Sequence, residues 1–433
     1  MISKPQGKLK GKPHVGPMLR LVLGVGALLS PLAGPLLKRR LKRGKEDAVR
    51  WVEKLGEPTQ PRPDGPLIWL HGVGVGEVMA LRGLIERLSA ARPELNFLVT
   101  SSARSSGAVF AKNRPVNTIH QYLPLDLPKG VGLFLDHWRP DLAVWSDQEI
   151  WPRMAVTVAR RGIPQAYVAA RITDASAKAK TRFGAAYGDL FRLLDLRHAQ
   201  EDRTAAHLSN LIGDDSPVSV TGSLKAASAP LTFDAAALVE VQTLQAPMWL
   251  VASAHRADVG IALDAYGIML TEHGLISTLI IAPRALDDVA YIEEMANARG
   301  LTYTTRSKGA PSISTQVLIA DSYGDLGTWY RAADAALIGG SFNSTQGHNP
   351  WEAVALDCAV LHGPNVQNFA TDYATLHDAT AAKNIATAND LAAALLGCDL
   401  KAMAQRASAV RDRAADGVDH IVTDLLALLD RAP

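Results

Sequence analysis

The chain has 433 residues, of which 48% are hydrophobic and 20% charged, enough for two ordinary domains with substantial cores. Two cysteines, Cys358 and Cys398, exclude a disulfide framework and a four-thiolate zinc site. The net charge of +2 is uneven, because residues 1–50 carry 12 Lys/Arg against two Asp/Glu, which leaves the remainder mildly acidic. This distribution excludes a body-wide nucleic-acid surface and favours attachment of the N-terminal segment to something anionic.

The first predicted element is an uncharged apolar stretch, Leu21–Leu37, inside the basic segment 1–50. Six cations follow it at once, which disfavours a cleaved signal peptide because cations resist translocation. Pro31 and Pro35 would kink a helix here. We therefore expect a monotopic or marginally spanning membrane anchor, held on the cytoplasmic face by anionic lipid. Packing of the stretch into the globular body is the alternative.

From Pro66 onward, short β-rich apolar runs alternate with helical stretches, as is typical of parallel sheets covered by helices. The runs that predict strands are Leu67–Val73, Asn96–Ser101, Asp141–Trp145, Gln165–Ala170 and Val218–Thr221, then Met248–Ala252, Ser277–Ala282, Gln316–Ala320, Ala335–Gly339 and Ala359–His362. A polar helix over Thr232–Gln245 separates the two sets, and a long amphipathic helix over Lys401–Leu429 follows the second. We predict an α/β protein with two doubly wound domains, residues 51–231 and 232–433, facing across a cleft.

The first loop with chemical potential is His71–Glu77 (HGVGVGE), which connects a predicted strand to a helix. Its alternating glycines free backbone amide groups at the helix start. The spacing is not that of a dinucleotide fingerprint, and the P-loop lysine is absent. Glu77 is predicted to be a base beside a cleft or, equally well from the motif alone, an ordinary first-turn glutamate favoured by the helix dipole.

The second loop, Asp147–Arg153 (DQEIWPR), follows another predicted strand and places two carboxylates before a Trp-Pro pair. Asp147 and Glu149 could orient a polar acceptor. They could also cap the following helix, and the motif alone favours the cap.

The third candidate combines Ala282–Arg284 with the segment Gly339–Glu352 (GGSFNSTQGHNPWE). Small residues and amides that lead into a helix start predict a pocket for phosphate and ribose, with Arg284 as its cation and Glu352 as an acceptor for sugar hydroxyls. His348 alone is more often a hydrogen-bonded structural histidine than a ligand or base. The sequence has no D-x-D, no zinc-like His/Cys spacing and no G-x-S-x-G, so it predicts neither a metal centre nor a hydrolase triad.

At these residues the chain resembles the Kdo (3-deoxy-D-manno-octulosonic acid) transferases, membrane-associated glycosyltransferases of lipopolysaccharide core synthesis with the GT-B fold. The similarity extends from the basic segment to about Phe369. Its most specific part is the family motif G-G-S-x-x-x-x-G-G-H-N-P-x-E, which corresponds to Gly339–Ser341 and Gly347–Glu352. Other family motifs correspond to Gly74–Glu77, Tyr122–Asp126, Arg139–Asp141, Asp147–Arg153, Ala169–Ser176 and Gly222–Lys225.

Several positions depart from the family pattern. Gly74 replaces a serine, Asp147 a glutamate, Ala254 a threonine and Ala285 a histidine. These departures do not threaten the predicted fold, but they leave open a changed donor, a changed acceptor or weakened activity.

The resemblance implies transfer of Kdo from CMP-Kdo to a lipid A precursor, lipid IVA, with inversion, at the cytoplasmic face of the inner membrane. It implies neither a cofactor nor a metal, and the expected partners are CMP-Kdo, the lipid A precursor and anionic inner-membrane lipid, without nucleic acid. The expected catalytic residues are Glu77 and Glu149. The expected donor-binding residues are Ser253, Arg284, Gly340, Ser341, Gly347, His348, Asn349 and Glu352, while Arg104 or Arg171 would bind the carboxylate of the sugar.

Three alternatives remain at this point. The first is a GT-B transferase with another donor or acceptor, and the second is a soluble nucleotide-sugar epimerase of similar fold. The third is a non-catalytic, membrane-tethered relative that kept the fold.

Overall fold

The computed structural model describes residues 13–183, 185–213, 216–244 and 246–431, which form two compact units. Unit 1 comprises the chain up to Ala227 and again from Ala414 onward, and unit 2 comprises Ser228–Arg413. This division differs from the predicted domains 51–231 and 232–433, because the second half of the final helix packs with unit 1.

Unit 1 contains a seven-stranded parallel sheet with the strand order β3-β2-β1-β4-β5-β6-β7. Its strands are β1 (Leu67–His71), β2 (Asn96–Ser101), β3 (Thr118–Tyr122), β4 (Leu142–Ser146), β5 (Gln165–Ala170), β6 (Leu196–Ala199) and β7 (Ser219–Val220). Its helices before unit 2 are α1 (Pro17–Leu28), α2 (Ala33–Lys42), α3 (Val75–Ala91), α4 (Arg104–Lys112), α5 (Pro128–Trp138), α6 (Pro152–Arg160), α7 (Asp174–Arg182), α8 (Ala186–Arg192) and α9 (Asp202–Ile212).

Unit 2 contains a second seven-stranded parallel sheet, ordered β10-β11-β9-β8-β12-β13-β14. Its strands are β8 (Met248–Ala254), β9 (Thr278–Pro283), β10 (Tyr303–Thr305), β11 (Val317–Ile319), β12 (Ala335–Ile338), β13 (Ala359–His362) and β14 (Ala382–Asn384). The helices are α10 (Ala235–Gln242), α11 (Arg256–His273), α12 (Val289–Asn297), α13 (Leu326–Ala332), α14 (Trp351–Val354), α15 (Ala370–Asp378) and α16 (Ala388–Gly397). The final helix, α17 (Leu400–Leu429), begins in unit 2 and ends in unit 1.

Both faces of the unit 1 sheet are buried, which explains why its strands read as continuous apolar runs. On one face, Trp69 and Trp145 pack edge to face with ring centroids 5.2 Å apart, in a cluster that includes Phe134 of α5. On the other face, sheet residues pack against α3 and against Ile421 and Leu425 of α17. In unit 2, the central strands pack against α11 and against the start of α17.

The apolar stretch Leu21–Leu37 is divided between α1, a 3-10 turn at Ser30–Leu32 and α2. Leu19 and Leu37 are buried, so one side of the segment packs with unit 1, as the alternative interpretation expected. The other side leaves large apolar residues exposed, namely Met18, Leu21, Val22, Val25, Leu28, Leu29, Leu32 and Leu36. The four lysines before residue 13, which belong to the basic segment 1–50, lie outside the described residues.

In the described part of the chain, no single helix is long and apolar enough to cross a membrane. By length and composition alone, the pair Pro17–Leu28 and Ser30–Lys42, bent by 41°, passes that test together.

Candidate active site

Each sheet has one point where the order of the strands reverses, and ligands of doubly wound sheets bind beyond the carboxyl ends of the strands at that point. In unit 1 the reversal lies between β1 and β4, and in unit 2 between β8 and β12. Glu77 and Glu149 follow β1 and β4. In unit 2, Ser253 lies at the end of β8 and the segment Gly339–Glu352 follows β12. The predicted residues of each unit therefore lie where its fold favours a ligand.

Glu77 lies in the first turn of α3, directly after the glycine-rich loop. Its Oε2 accepts hydrogen bonds from the backbone N–H groups of Val73, at 2.6 Å, and Gly74, at 3.3 Å. Among the described residues no hydrogen bond reaches Oε1, and the side chain is partly exposed. Glu77 therefore caps the helix with one oxygen and keeps the other for a further contact, so the two interpretations of this residue are compatible.

The pKa of Glu77 is raised, chiefly because burial disfavours its charged form and also because Asp147 adds negative charge nearby. The backbone N–H groups of Val73 and Gly74 and the ammonium of Lys225 act in the opposite direction. A carboxylate with a raised pKa is a stronger base than an exposed glutamate. This is the property that a group removing a proton from a hydroxyl requires.

Asp147 is the centre of this cluster, which we call the Asp147 cluster and define as Glu77, Asp147, Arg171 and Lys225. Asp147 is buried and has a positive φ of 61°. Its Oδ1 lies 3.2 Å from Nε of Arg171, and its Oδ2 lies 3.4 Å from Nζ of Lys225. The backbone carbonyl of Asp147 also accepts from the N–H of Arg171 at 2.8 Å. Two carboxylates and two cations thus lie together at the carboxyl ends of β1, β4 and β5.

The interpretation of Asp147 and Glu149 as helix caps is wrong. The first-turn N–H groups of α6 at Arg153 and Met154 donate instead to the carboxylate of Asp126, each at 2.8 Å. Asp126 follows β3, and sequence spacing alone does not reveal that this residue reaches the start of α6.

Glu149 and Arg104 lie apart from the contacts within the Asp147 cluster. Glu149 is exposed. The pKa of Lys180 is lowered by burial, and the charge of Glu149 only partly offsets this effect. Arg104 begins α4 and donates to the backbone carbonyl of Gly44 at 3.2 Å. Of the two arginines predicted to bind a carboxylate, only Arg171 is therefore in the cluster.

In unit 2, the loop after β12 is held by Asp258 of α11. One oxygen of this buried carboxylate accepts from the backbone N–H of Gly340 and from that of His255, both at 2.8 Å. Gly340 has a φ of +69°, and a Cβ added there would lie 2.9 Å from Cγ2 of Thr345. Only glycine satisfies both conditions at this position, so the turn and its packing explain this residue.

Ser341 stabilises the same loop from within. Its fully buried hydroxyl donates to the carbonyl of Ile338 at 2.6 Å and accepts from the N–H of Gly363 at 2.8 Å. The N–H of Gly347 donates to the carbonyl of Gly340 at 2.8 Å. The Ser341 side chain and the Gly347 amide are thus used inside the protein, and they position the loop.

His348 forms a pair with His255, which sequence reasoning did not include among the site residues. The two rings are stacked with centroids 5.3 Å apart, and their Nε2 atoms are 3.0 Å apart. Burial, together with the charges of His255 and Arg284, lowers the pKa of His348 to about 4. His348 is therefore neutral at pH 7 and can share one proton with His255.

Arg284, Asn349 and Glu352 complete the cluster of unit 2. Arg284 follows β9, its side chain is exposed, and its backbone N–H donates to Ala254 at 2.9 Å. Burial raises the pKa of Glu352, whereas a hydrogen bond from Asn349 and the charge of Arg284 lower it. The helix that follows Pro350 is only the single turn Trp351–Val354. The positive charge of this site therefore comes from Arg284, and a helix dipole adds little.

Comparisons with known proteins identify the family. A family model described as 3-deoxy-D-manno-octulosonic-acid transferase matches residues 49–228. The chain is also 30% identical over 358 residues to the 3-deoxy-D-manno-octulosonic acid transferase of Bordetella pertussis, covering 78% of this chain and 81% of that protein. The chain belongs to the Kdo transferase family. The predicted membership is thereby confirmed, and with it the expectation of a glycosyltransferase.

Solved structures support the fold assignment. MurG of Acinetobacter baumannii matches 85% of this chain and all of its own, with a TM-score of 0.54 and 12% identity. UDP-GlcNAc 2-epimerase of Neisseria meningitidis, solved with UDP-GlcNAc, matches 84% of this chain with a TM-score of 0.53 and 11% identity. At these identities the likeness concerns the fold alone. It confirms two Rossmann-like units of GT-B type in this Kdo transferase.

Proposed function

We propose that this Kdo transferase moves Kdo from CMP-Kdo to a glucosamine hydroxyl of a lipid A precursor, lipid IVA, with inversion, in lipopolysaccharide core biosynthesis. The acceptor oxygen attacks the anomeric carbon, the bond from that carbon to the phosphate oxygen breaks, and CMP leaves with the electron pair. Family membership supports the transferred sugar. The position of the two clusters at the reversal points of the two sheets supports a division of tasks, with the acceptor on unit 1 and the donor on unit 2.

The observation that carries the proposal is the environment of Glu77. One carboxylate oxygen is fixed by two backbone N–H groups, the other is available, and burial raises the pKa. Glu77 takes the proton of the acceptor hydroxyl as the new bond forms, a contribution worth ~10²–10⁴-fold in rate. Lys225 and Arg171 form ion pairs with Asp147 beside it, and the negative charge of Asp147 strengthens Glu77 as a base.

On the donor side, the leaving CMP gains negative charge in the transition state and needs cationic and N–H donors. Arg284 has an exposed guanidinium beside His348 and Glu352, and this cation is suited to the phosphate. Glu352 accepts from the ribose hydroxyls, with Asn349 orienting its carboxylate. Arg171 is the better candidate for the sugar carboxylate, because it lies in the Asp147 cluster near Glu77, whereas Arg104 lies outside the cluster and donates to Gly44.

We further propose that the segment of α1 and α2 attaches the enzyme to the cytoplasmic face of the inner membrane in a monotopic manner. Leu19 and Leu37 face unit 1, while Leu21, Val25 and Leu28 are exposed beside a cationic α2. An apolar face of this kind inserts at the lipid boundary, and each Lys/Arg near anionic lipid adds ~1 kcal/mol.

Two experiments test the proposal. A thermal-shift series with CMP, UDP and ADP should stabilise the protein with CMP most, because a ligand that binds only the folded state raises the melting temperature. Preferential stabilisation by UDP or ADP would instead favour a transferase with another donor. Incubation with CMP-Kdo generated in situ and lipid IVA should yield Kdo-bearing lipid and CMP, and a protein that binds CMP without forming product would be the non-catalytic relative.

A further inference from the structure

Strand β6 carries a histidine, His198, on a face of the sheet where the neighbouring side chains are apolar. Leu196 and His198 point to the same face of the sheet, and Leu196 packs with the cluster that joins α3 and α17 to this face. His198 is only 1% exposed. Among the described residues, neither of its ring nitrogens makes a hydrogen bond, although Nε2 lies within ion-pair distance of Asp424. A buried imidazole without hydrogen bonds is costly unless something else satisfies it.

The helix that covers this strand presents two ligand-type side chains to the same histidine. His420 and Asp424 are four residues apart on α17, which places them on one face of the helix. Oδ2 of Asp424 lies 3.3 Å from Nε2 of His198 and 3.2 Å from Nε2 of His420. The ligand atoms of the three side chains all lie within 4.8 Å of one another.

The two distances from Asp424 to the histidine nitrogens suit a tetrahedral metal ion. Bonds of ~2.0–2.1 Å to nitrogen and oxygen place two ligands of a tetrahedral ion roughly 3.3 Å apart. The donor set of two imidazoles and one carboxylate suits Zn²⁺ and related first-row divalent ions, and it does not suit Ca²⁺ or Mg²⁺, which prefer oxygen. Asp424 is partly exposed and His420 is exposed, so an ion can enter from solvent.

We propose that His198, His420 and Asp424 form a zinc-type divalent cation site that fastens the end of α17 to β6. Three protein ligands leave a fourth position for water. Since the ion bridges β6 to a helix supplied by the opposite end of the chain, its effect falls on the folded unit 1.

The proposal predicts metal-dependent stability through the linkage of binding to folding. An ion whose dissociation constant for the native site is a hundredfold below its free concentration stabilises the fold by about 2.7 kcal/mol. The simple alternative is a pair of His–carboxylate contacts without an ion. His207 and Asp174 provide such a pair, with Nε2 and Oδ1 2.9 Å apart, outside the group of three, and therefore offer a matched control.

The experiment uses the full chain, purified without a histidine tag and stripped with EDTA. Titration with Zn²⁺ should show tight binding of one ion per chain and a rise in melting temperature. Titration with Co²⁺ should give visible absorption typical of tetrahedral coordination. His420→Ala and Asp424→Asn change residues outside the buried core. Each should weaken binding at least tenfold and remove the thermal shift. His207→Ala should behave as wild type.

Binding of Zn²⁺ that is unchanged in both His420→Ala and Asp424→Asn would identify an adventitious ion elsewhere and overturn the proposal. Absence of any tight equivalent in the wild-type chain would overturn it as well. Neither outcome depends on CMP-Kdo or on turnover, so this test is independent of the proposed function.

Discussion

Glu77 illustrates at the scale of one residue how capping and catalysis use different atoms of the same side chain. Its Oε2 satisfies two N–H groups at the start of α3, and Oε1 has no such partner within the described residues. The sequence predicted the glutamate but could not predict its environment, because Asp147 and Lys225 reach it from other strand ends. His255 was missed for the same reason, since its partner His348 is 93 residues away along the chain.

Replacement of Glu77 by glutamine separates the two tasks of this residue. Glu77→Gln keeps an oxygen that accepts from Val73 and Gly74 but cannot take a proton, so kcat should fall by ~10²-fold or more. CMP affinity should change little, because the base acts on the acceptor. Glu86→Gln, an exposed position on the same helix, is the control and should keep full activity. Retention of more than about a tenth of wild-type turnover by Glu77→Gln would refute the assignment.

The same substitution has a predictable effect on stability. The pKa of Glu77 in the folded protein lies above its ordinary value, so near that pH range the folded protein binds more protons than the unfolded chain. The free energy of unfolding therefore decreases as the pH rises and this carboxylate ionises. Glu77→Gln should therefore be at least as stable as wild type at pH 7. The difference in stability between the variant and wild type should disappear well below pH 4, where Glu77 is protonated in both the folded and the unfolded state. Urea denaturation at both pH values measures this, and a loss of stability at pH 7 would contradict the raised pKa.

Arg284 and Glu352 are predicted to bind different parts of the donor nucleotide. Arg284→Ala and Glu352→Gln should each weaken CMP binding by roughly 1.5–3 kcal/mol, about tenfold to 150-fold, as expected for the loss of a hydrogen bond to a charged group. Calorimetric titration measures the affinity. Arg299→Ala, which removes a surface arginine paired with Asp264, is the control and should bind CMP normally. Unchanged affinity in both site variants would place the nucleotide elsewhere.

At the scale of elements, the sequence predicted the strands that lie in apolar runs and missed those with more polar sequences. All ten predicted strands are present, whereas β3, β6, β10 and β14 were missed. Strand β6 reads LRHA, and its Arg197 is buried because the guanidinium donates to the carbonyls of Phe191 and Leu194. Such compensation depends on tertiary contacts and leaves no period-two pattern in the sequence.

The two sides of α1 are predicted to respond differently to mutation. Val25→Asp combined with Leu28→Asp places charges on the exposed side, so flotation with anionic liposomes should be lost while the melting temperature stays the same. Leu19→Ala removes a core side chain and should cost about 2–5 kcal/mol of unfolding free energy.

The control for these α1 variants is Val116→Asp, a change at an exposed valine outside α1 and α2, and it should float normally. Flotation of the Val25/Leu28 double variant equal to that of Val116→Asp would contradict the proposed membrane attachment.

The buried Leu19 also implies that removal of residues 1–45 would harm the fold of unit 1.

At the scale of the whole molecule, buried histidines predict loss of stability in mild acid. Burial lowers the pKa of His71, His198, His348 and His362 to about 4 and that of His120 to about 3. Below the ordinary pKa of about 6.5, the unfolded chain binds protons that the folded protein does not, so stability falls as the pH decreases from 6.5 toward 4. Each histidine contributes up to about 1.4 kcal/mol per pH unit.

Carboxylates with raised pKa values, Glu77, Asp126, Asp258 and Glu352, act in the opposite direction over the lower part of this range. The free energy of unfolding, measured in EDTA, should therefore fall between pH 7 and pH 5.5, and the fall should be steeper in a Glu77→Gln, Glu352→Gln double variant. Stability that is constant or rises on acidification over this interval would show that the histidines titrate normally.

The passage of α17 from unit 2 into unit 1 has a consequence for how the protein is made. A ribosome completes β1 to β7 early, yet Val418, Ile421, Val422 and Leu425, which cover one face of that sheet, emerge only after all of unit 2. During that interval the nascent chain presents an uncovered apolar sheet face, the kind of surface that chaperones bind. Unit 2 is contiguous in the chain and can finish folding first, so the order of folding is expected to be the reverse of the order of synthesis.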